Sequence, residues 1–122
     1  MSGASARVLV LDDEPMILMD VRAALEAAGF DAVTARSCDK ALSLIEDRRP
    51  SAAVLDVNLG RGETCEAVAE RLAAMDVPFV LHSGDLDRLG ELITRLDRPI
   101  VRKPARGERV AEAVRALLEG EG

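Results

Sequence analysis

The chain has 122 residues, 48% hydrophobic and 31% charged, a balance that fits one globular domain spanning residues 1–122 and excludes a disordered chain. A net charge of −6 and the absence of Trp and Tyr argue against a basic, base-stacking face, so no direct nucleic-acid partner is expected. Apolar runs fall short of the ~20 residues of a membrane span and the start MSGASAR has no apolar signal core, so a cytoplasmic protein without membrane insertion is expected, with flexible ends at 1–6 and 120–122.

Taken in order, the first element is a strand at Arg7–Leu11 (RVLVL), a run suited to burial on both faces. Ile17, Val21, Leu25 and Ala28 then recur at helical spacing, and Gly29 closes this first helix. A second strand is expected at Ala32–Ala35. Ser37 opens a second helix carrying Ala41, Leu42 and Ile45, with Pro50 as its stop. A third strand at Ala52–Leu55 leads to a helix whose inner face is Cys65, Val68, Leu72 and Met75. The fourth strand is Phe79–Leu81. Residues Asp85–Asp97 place Leu89, Leu92, Ile93 and Leu96 at helical spacing around Gly90, which predicts a short or irregular helix. A fifth strand at Ile100–Val101 precedes a last helix marked by Val110, Val114, Leu117 and Leu118. Strands alternating with helices imply a doubly wound parallel sheet with helices on both faces, and its functional site belongs beyond the carboxyl ends of the strands.

Those ends carry Asp12, Asp13 and Glu14 after strand one, Asp56 after strand three, Ser83 after strand four and Lys103 after strand five. Adjacent carboxylates at the end of a buried strand need a cation, a donor or water. Convergence of Asp12, Asp13 and Asp56 would bind a hard divalent cation, and Mg2+ suits a site with few protein oxygens. Lys103 and Ser83 supply a charge and a hydroxyl for phosphoryl oxygens, so the set describes a phosphoryl-accepting site with an aspartate nucleophile. Each residue also has a plainer reading. Asp13 before Pro15 fits a helix N-cap, while Ser83-Gly84 and Lys103-Pro104 fit turns. Cys38 and Cys65 form no CxxC pair and read as reduced packing thiols. His82, the one histidine, reads as a packed or hydrogen-bonded side chain, with a relay or metal-ligand role as the alternative. Arg61, Arg88 and Arg102 read as solvated surface charges, with tuning of phosphoryl access or partner contacts as the alternative.

The stretches VLVLDDEP, VLDVNL around Asp56, VLHSG around Ser83 and VRKP around Lys103 together resemble the receiver domain of two-component response regulators. The resemblance implies a flavodoxin-like (CheY-like) α/β fold with five parallel strands in the order 2-1-3-4-5. It implies that Asp56 accepts phosphate from a histidine kinase or histidine phosphotransfer protein. Asp12, Asp13 and Asp56 would hold Mg2+ together with the backbone carbonyl of Asn58, while Ser83 and Lys103 would bind the phosphoryl oxygens. The protein would then be a phosphoacceptor signalling domain rather than an enzyme, a monomer or weak dimer that acts through an unknown downstream protein.

Three departures from the family pattern stand out. Ile100 occupies the place of the usual switch aromatic, so movement is expected in the segment 84–97 instead. The loop DVNLGRGET replaces a proline-containing one, and Gly60 and Gly62 make it permissive in φ. PFVLHSGD resembles the atypical FAT GUY receivers, with Ser83 for the usual Thr and Asp85 in place of a tyrosine. Asn58 and Asp85 fall, by resemblance, at positions that set phosphate lifetime. Two rivals remain: a phosphorylation-independent interaction module of receiver fold, and an aspartyl phosphatase, which would need an aspartate where Asn58 stands. No output domain is read after the last helix, which leaves a single-domain regulator or an excised receiver.

Overall fold

The computed structural model describes residues 6–84 and 90–120. In chain order the elements are β1 Arg7–Leu11, α1 Pro15–Ala27, β2 Asp31–Ala35, α2 Cys38–Asp47, β3 Ala52–Asp56, β4 Asn58–Gly60, β5 Glu63–Thr64, α3 Glu66–Ala74, β6 Phe79–Ser83, α4 Gly90–Leu96, β7 Ile100–Arg102 and α5 Gly107–Gly120. β1, β2, β3, β6 and β7 form one sheet in the order β2-β1-β3-β6-β7, with every neighbouring pair parallel. This is the expected 2-1-3-4-5 order of a flavodoxin-like fold.

Alternation along each strand divides the core in two. Val8, Val10, Val54, Val80 and Val101 face α1 and α5 and pack with Leu18, Val21, Leu25, Val110 and Val114. Leu9, Leu11, Leu55, Phe79 and Leu81 face the other way, onto Ala41 and Ile45 of α2 and Val68 and Leu72 of α3. Full burial of each large apolar side chain contributes roughly 1.5–3 kcal/mol. The α4 pattern is shallower: Leu92, Ile93 and Leu96 pack against the second core while only partly buried.

Local signals account for both ends of α1 and the start of α2. Pro15 begins α1, and Gly29 ends it at φ +96°. There Gly29 N donates to Glu26 O at 3.0 Å and Phe30 N to Leu25 O at 2.9 Å, the paired bonds of a left-handed C-terminal cap. Ser37 Oγ accepts from Lys40 N at 3.2 Å at the start of α2.

Several expectations need correcting. α2 stops at Asp47 rather than at Pro50, because Arg48 is already extended and Arg49 is disfavoured from helix by the proline after it. Arg49 instead reaches Met75 O at 3.1 Å and Asp76 O at 3.3 Å, serving carbonyls at the end of α3. Cys65 and Met75 flank α3 as its caps. β3, β6 and β7 each run past the limits read from apolar residues alone, to Asp56, Ser83 and Arg102, because the ladder continues through polar residues. Asp13 is not the N-cap of α1; Glu14 holds that position without a side-chain cap bond. The loop after Asp56 contains an antiparallel β4–β5 hairpin that the sequence pattern does not predict. The readings for Asp85, Arg88 and Leu89 lie outside the described residues.

Candidate functional site

The ends of four strands, β1, β3, β6 and β7, build the site at the carboxyl edge of the sheet. Asp12 leaves β1 with its N–H donating to Ala35 O at 3.1 Å, which carries the β1–β2 ladder one residue further. Its Oδ1 accepts from Glu14 N at 2.9 Å, turning the chain into α1. Asp13 is thereby left half-buried at the cleft rather than tied to the helix, and its carbonyl accepts from Arg36 at 3.3 Å. Asp56 is the last residue of β3 and only 4% exposed. Oxygens of Asp12, Asp13 and Asp56 all lie within 4.8 Å of one another.

Lys103 enters from the end of β7, where its N–H donates to Ser83 O at 3.0 Å. Its Nζ stands 3.0 Å from Asp12 Oδ2, 3.4 Å from Asp56 Oδ2 and 3.6 Å from Glu14 Oε1. Glu14, to which the sequence assigns no task, thereby joins the charges around the ammonium. Ser83 is buried at the end of β6. A cleft of about 330 Å3 is lined by Asp13, Asp56, Asn58, Ser83, Gly84 and Lys103, so the expected metal and phosphoryl residues all border it except Asp12, which is buried.

Burial raises the Asp56 pKa to about 7, and the Asp12 charge adds to the rise while Lys103 opposes it. Burial works against the Lys103 charge, but Asp12 and Asp56 outweigh it and hold its pKa above the ordinary value. His82 pairs in register with Asp56 and is 2% exposed. Its Nε2 has no hydrogen-bond partner among the described residues; burial and then Lys103 lower its pKa, favouring neutral imidazole. His82 is thus a packed side chain, one of the two forms its sequence reading allows. Cys38 and Cys65 are free and buried, with burial chiefly responsible for pKa values of about 11 and about 12, so packing thiols is what they are. Arg61 and Arg102 are exposed.

The site has a wall that sequence did not reveal. In the β4–β5 hairpin Gly60, Arg61 and Gly62 all adopt positive φ, at +83°, +55° and +78°. Asn58 Oδ1 accepts from Gly60 N at 3.0 Å, so the Asn58 side chain braces the hairpin. Only the two glycines hinted at such a turn.

The response regulator receiver domain family matches residues 8–115. The chain belongs to that family. It is 34% identical over 122 residues to the transcriptional regulatory protein PrrA of Mycobacterium tuberculosis, an alignment covering 97% of this chain and 52% of that one. This receiver thus spans about half the length of the curated relatives it matches. The receiver domain of NtrX from Brucella abortus superposes with a TM-score of 0.80 at 27% identity, covering 92% of this chain and 98% of that one. A CheY-like receiver domain from Methylobacillus flagellatus gives 0.78 at 24% identity, covering 94% and 99%, and shares the fold. Receivers are signalling domains of two-component systems that work with histidine kinases, and family members bind Mg2+ at an acidic pocket. Among the described residues no helix is long and apolar enough to cross a membrane.

Proposed function

We propose that this receiver is a phosphorylation switch that takes a phosphoryl group on Asp56 in a Mg2+-dependent reaction, from a histidine kinase or histidine phosphotransfer protein. The observation that carries the reading is the meeting of Asp56 with Asp12 and Asp13 within 4.8 Å and with Lys103 Nζ at 3.4 Å. The donor set fits the metal: the oxygens are hard, the cleft is open to water, and the carboxylates outnumber the one ammonium beside them. Asp12, Asp13 and Asp56 would hold the ion, with the Asn58 carbonyl as a further ligand. When bound, it supplies positive charge against the charge that develops on the phosphoryl oxygens.

In the transfer an Asp56 carboxylate oxygen attacks the donor phosphorus, and the phosphorus–nitrogen bond to the donor imidazole breaks with its electron pair staying on nitrogen. Lys103 offsets charge on the phosphoryl group, and Ser83 offers it a hydroxyl. The new charge on Asp56 competes with Asp12 for Lys103. Any shift of Lys103 pulls on the β6–β7 edge through its backbone bond to Ser83, biasing that edge toward a state a partner prefers. With Ile100 in the aromatic's place, the readout falls to residues 84–97, of which 90–96 form α4.

Intact mass after incubation with Mg2+ and acetyl phosphate tests this. The native chain should gain one phosphoryl group and Asp56→Asn none. Equal gain in both would move the acceptor elsewhere. If the native chain neither gains phosphate nor binds beryllium fluoride, the phosphorylation-independent module takes precedence.

A protein donor also needs a surface to dock on. Met16 and Met19 are 82% and 70% exposed, one turn apart on α1 beside Glu14, an apolar pair of the kind that marks contact sites. Met16→Asp should slow transfer from a histidine phosphotransfer protein by roughly tenfold, the scale of one interface anchor, and leave the acetyl phosphate rate unchanged. Equal slowing with both donors would refute the docking role.

A further inference from the structure

The loop after the phosphoacceptor is built as a fixed piece. Leu59 is buried in the core at its centre, 6% exposed. Cys65 N donates to Val57 O at 3.1 Å and closes its base, and Cys38 Sγ lies 3.1 Å from Thr64 O, tying the return strand to α2. Between these anchors Gly60 follows Leu59 directly and turns the chain across the cleft. A Cβ on Gly60 would stand 3.4 Å from Asp13 Oδ2.

We infer that Gly60 is a positioning residue of the divalent-cation site: the hairpin is a fixed wall, and the missing side chain at position 60 keeps one face of the Asp13 carboxylate open to a hydrated ion. This rests on the reading of the acidic pocket as a Mg2+ site. The physical argument concerns Asp13 alone. Water and a small hydrated cation approach a carboxylate oxygen from the sides that protein atoms leave free, and Mg2+ keeps several of its waters. A methyl group in van der Waals contact with Oδ2 would displace that water and desolvate the charge, and withdrawing the hairpin would pull the adjacent Leu59 from the core. Gly62 at the hairpin tip does not share this role, because a Cβ there would meet nothing within 4 Å.

Gly62 therefore provides a matched control, since its φ of +78° is close to the +83° of Gly60. Replacing either by alanine forces a left-handed residue at similar cost, and only position 60 touches Asp13. Calorimetric titration with Mg2+ should show affinity reduced roughly tenfold in Gly60→Ala, the lower end for groups that orient metal ligands, and near that of the unaltered chain in Gly62→Ala. Raising Mg2+ to saturation should restore the acetyl phosphate rate of Gly60→Ala, which a general folding defect would not allow. If Gly60→Ala does not fold, Gly60→Asn carries a Cβ while tolerating positive φ and should show the same loss. Unchanged affinity in the folded Gly60 variant, or an equal fall in Gly62→Ala, overturns the inference. If the unaltered chain binds no Mg2+, the metal reading fails and this inference with it; binding by the unaltered chain with no effect at Gly60 fails this inference alone.

Discussion

Gly107→Ala should lower the stability of the protein by roughly 3 kcal/mol or more, the upper range for overpacking against parts that cannot move. A Cβ at this position would stand 2.5 Å from Asp20 O and 3.0 Å from Ala24 Cβ. Both belong to α1, and the closest is a backbone atom inside a regular helix, so no rotamer change relieves the overlap. α5 would have to back away from α1, opening the core formed by Val21, Leu25, Val110 and Val114. The same shift would break the bond from Gly107 N to Asp20 Oδ2 at 2.8 Å, by which a carboxylate on α1 satisfies a donor in the first turn of α5. For a domain of this size the melting temperature should fall by about 10 °C or more. Asp20→Ala removes only that bond and should cost about 1 kcal/mol. Thermal melts followed by far-ultraviolet circular dichroism check both, and a Gly107→Ala melting temperature within a few degrees of the native value would refute the close-packing argument.

The same contact marks a boundary of what sequence can say. Gly107 reads as an ordinary glycine before a helix, because its partner Asp20 lies 87 positions away and nothing local encodes how closely two helices approach. The five sheet strands were legible for the opposite reason. Strands covered on both faces become uninterrupted apolar runs such as Val8–Leu11 and Ala52–Leu55, and their period needs no tertiary knowledge. The polar residues that end them, Asp56 and Ser83, carry no such signal, since their place in the ladder depends on neighbours.

The acidic site was legible because a parallel sheet brings the ends of β1, β3, β6 and β7 to one edge, so chemistry scattered over 91 positions from Asp12 to Lys103 meets there. The task of each acid within the run was not legible. Asp12, Asp13 and Glu14 are chemically alike, and only the backbone shows that Asp12 Oδ1 holds the turn while Asp13 faces the cleft. The β4–β5 hairpin was hidden because strands of 3 and 2 residues are too short for a period. Its turn also depends on Arg61, a residue type that rarely adopts the φ of +55° found here.

Asp56→Asn should stabilise the metal-free protein at pH 8, although it abolishes phosphoryl acceptance. The folded protein holds the Asp56 pKa at about 7 against an ordinary value of 3.8, chiefly through burial and then through Asp12. Between those two values the folded state binds more protons at this group than the unfolded state does, so its contribution to stability falls as pH rises from about 4 to about 7 and is constant above. Water in the open cleft screens part of this charge, so the contribution is roughly 1–3 kcal/mol. Asparagine keeps the shape and removes the charge, leaving Asp12 with Lys103 as its partner at 3.0 Å. His82 contributes the opposite slope below its ordinary value of 6.5, since burial disfavours its charged form; its charge partners are Lys103 and Asp12, so this slope is common to both proteins. The difference between the two melting curves thus isolates Asp56. It should reach about 5 °C or more at pH 8 and shrink toward pH 5, where the native carboxyl is already protonated. Mg2+ should raise the melting temperature of the native protein at pH 8 more than that of Asp56→Asn, since it replaces the missing positive charge and the variant has one carboxylate fewer to hold it. A gap that does not change between pH 5 and pH 8 would show that Asp56 is not held protonated by its surroundings, and that the acidic cluster is relaxed by water without a cation.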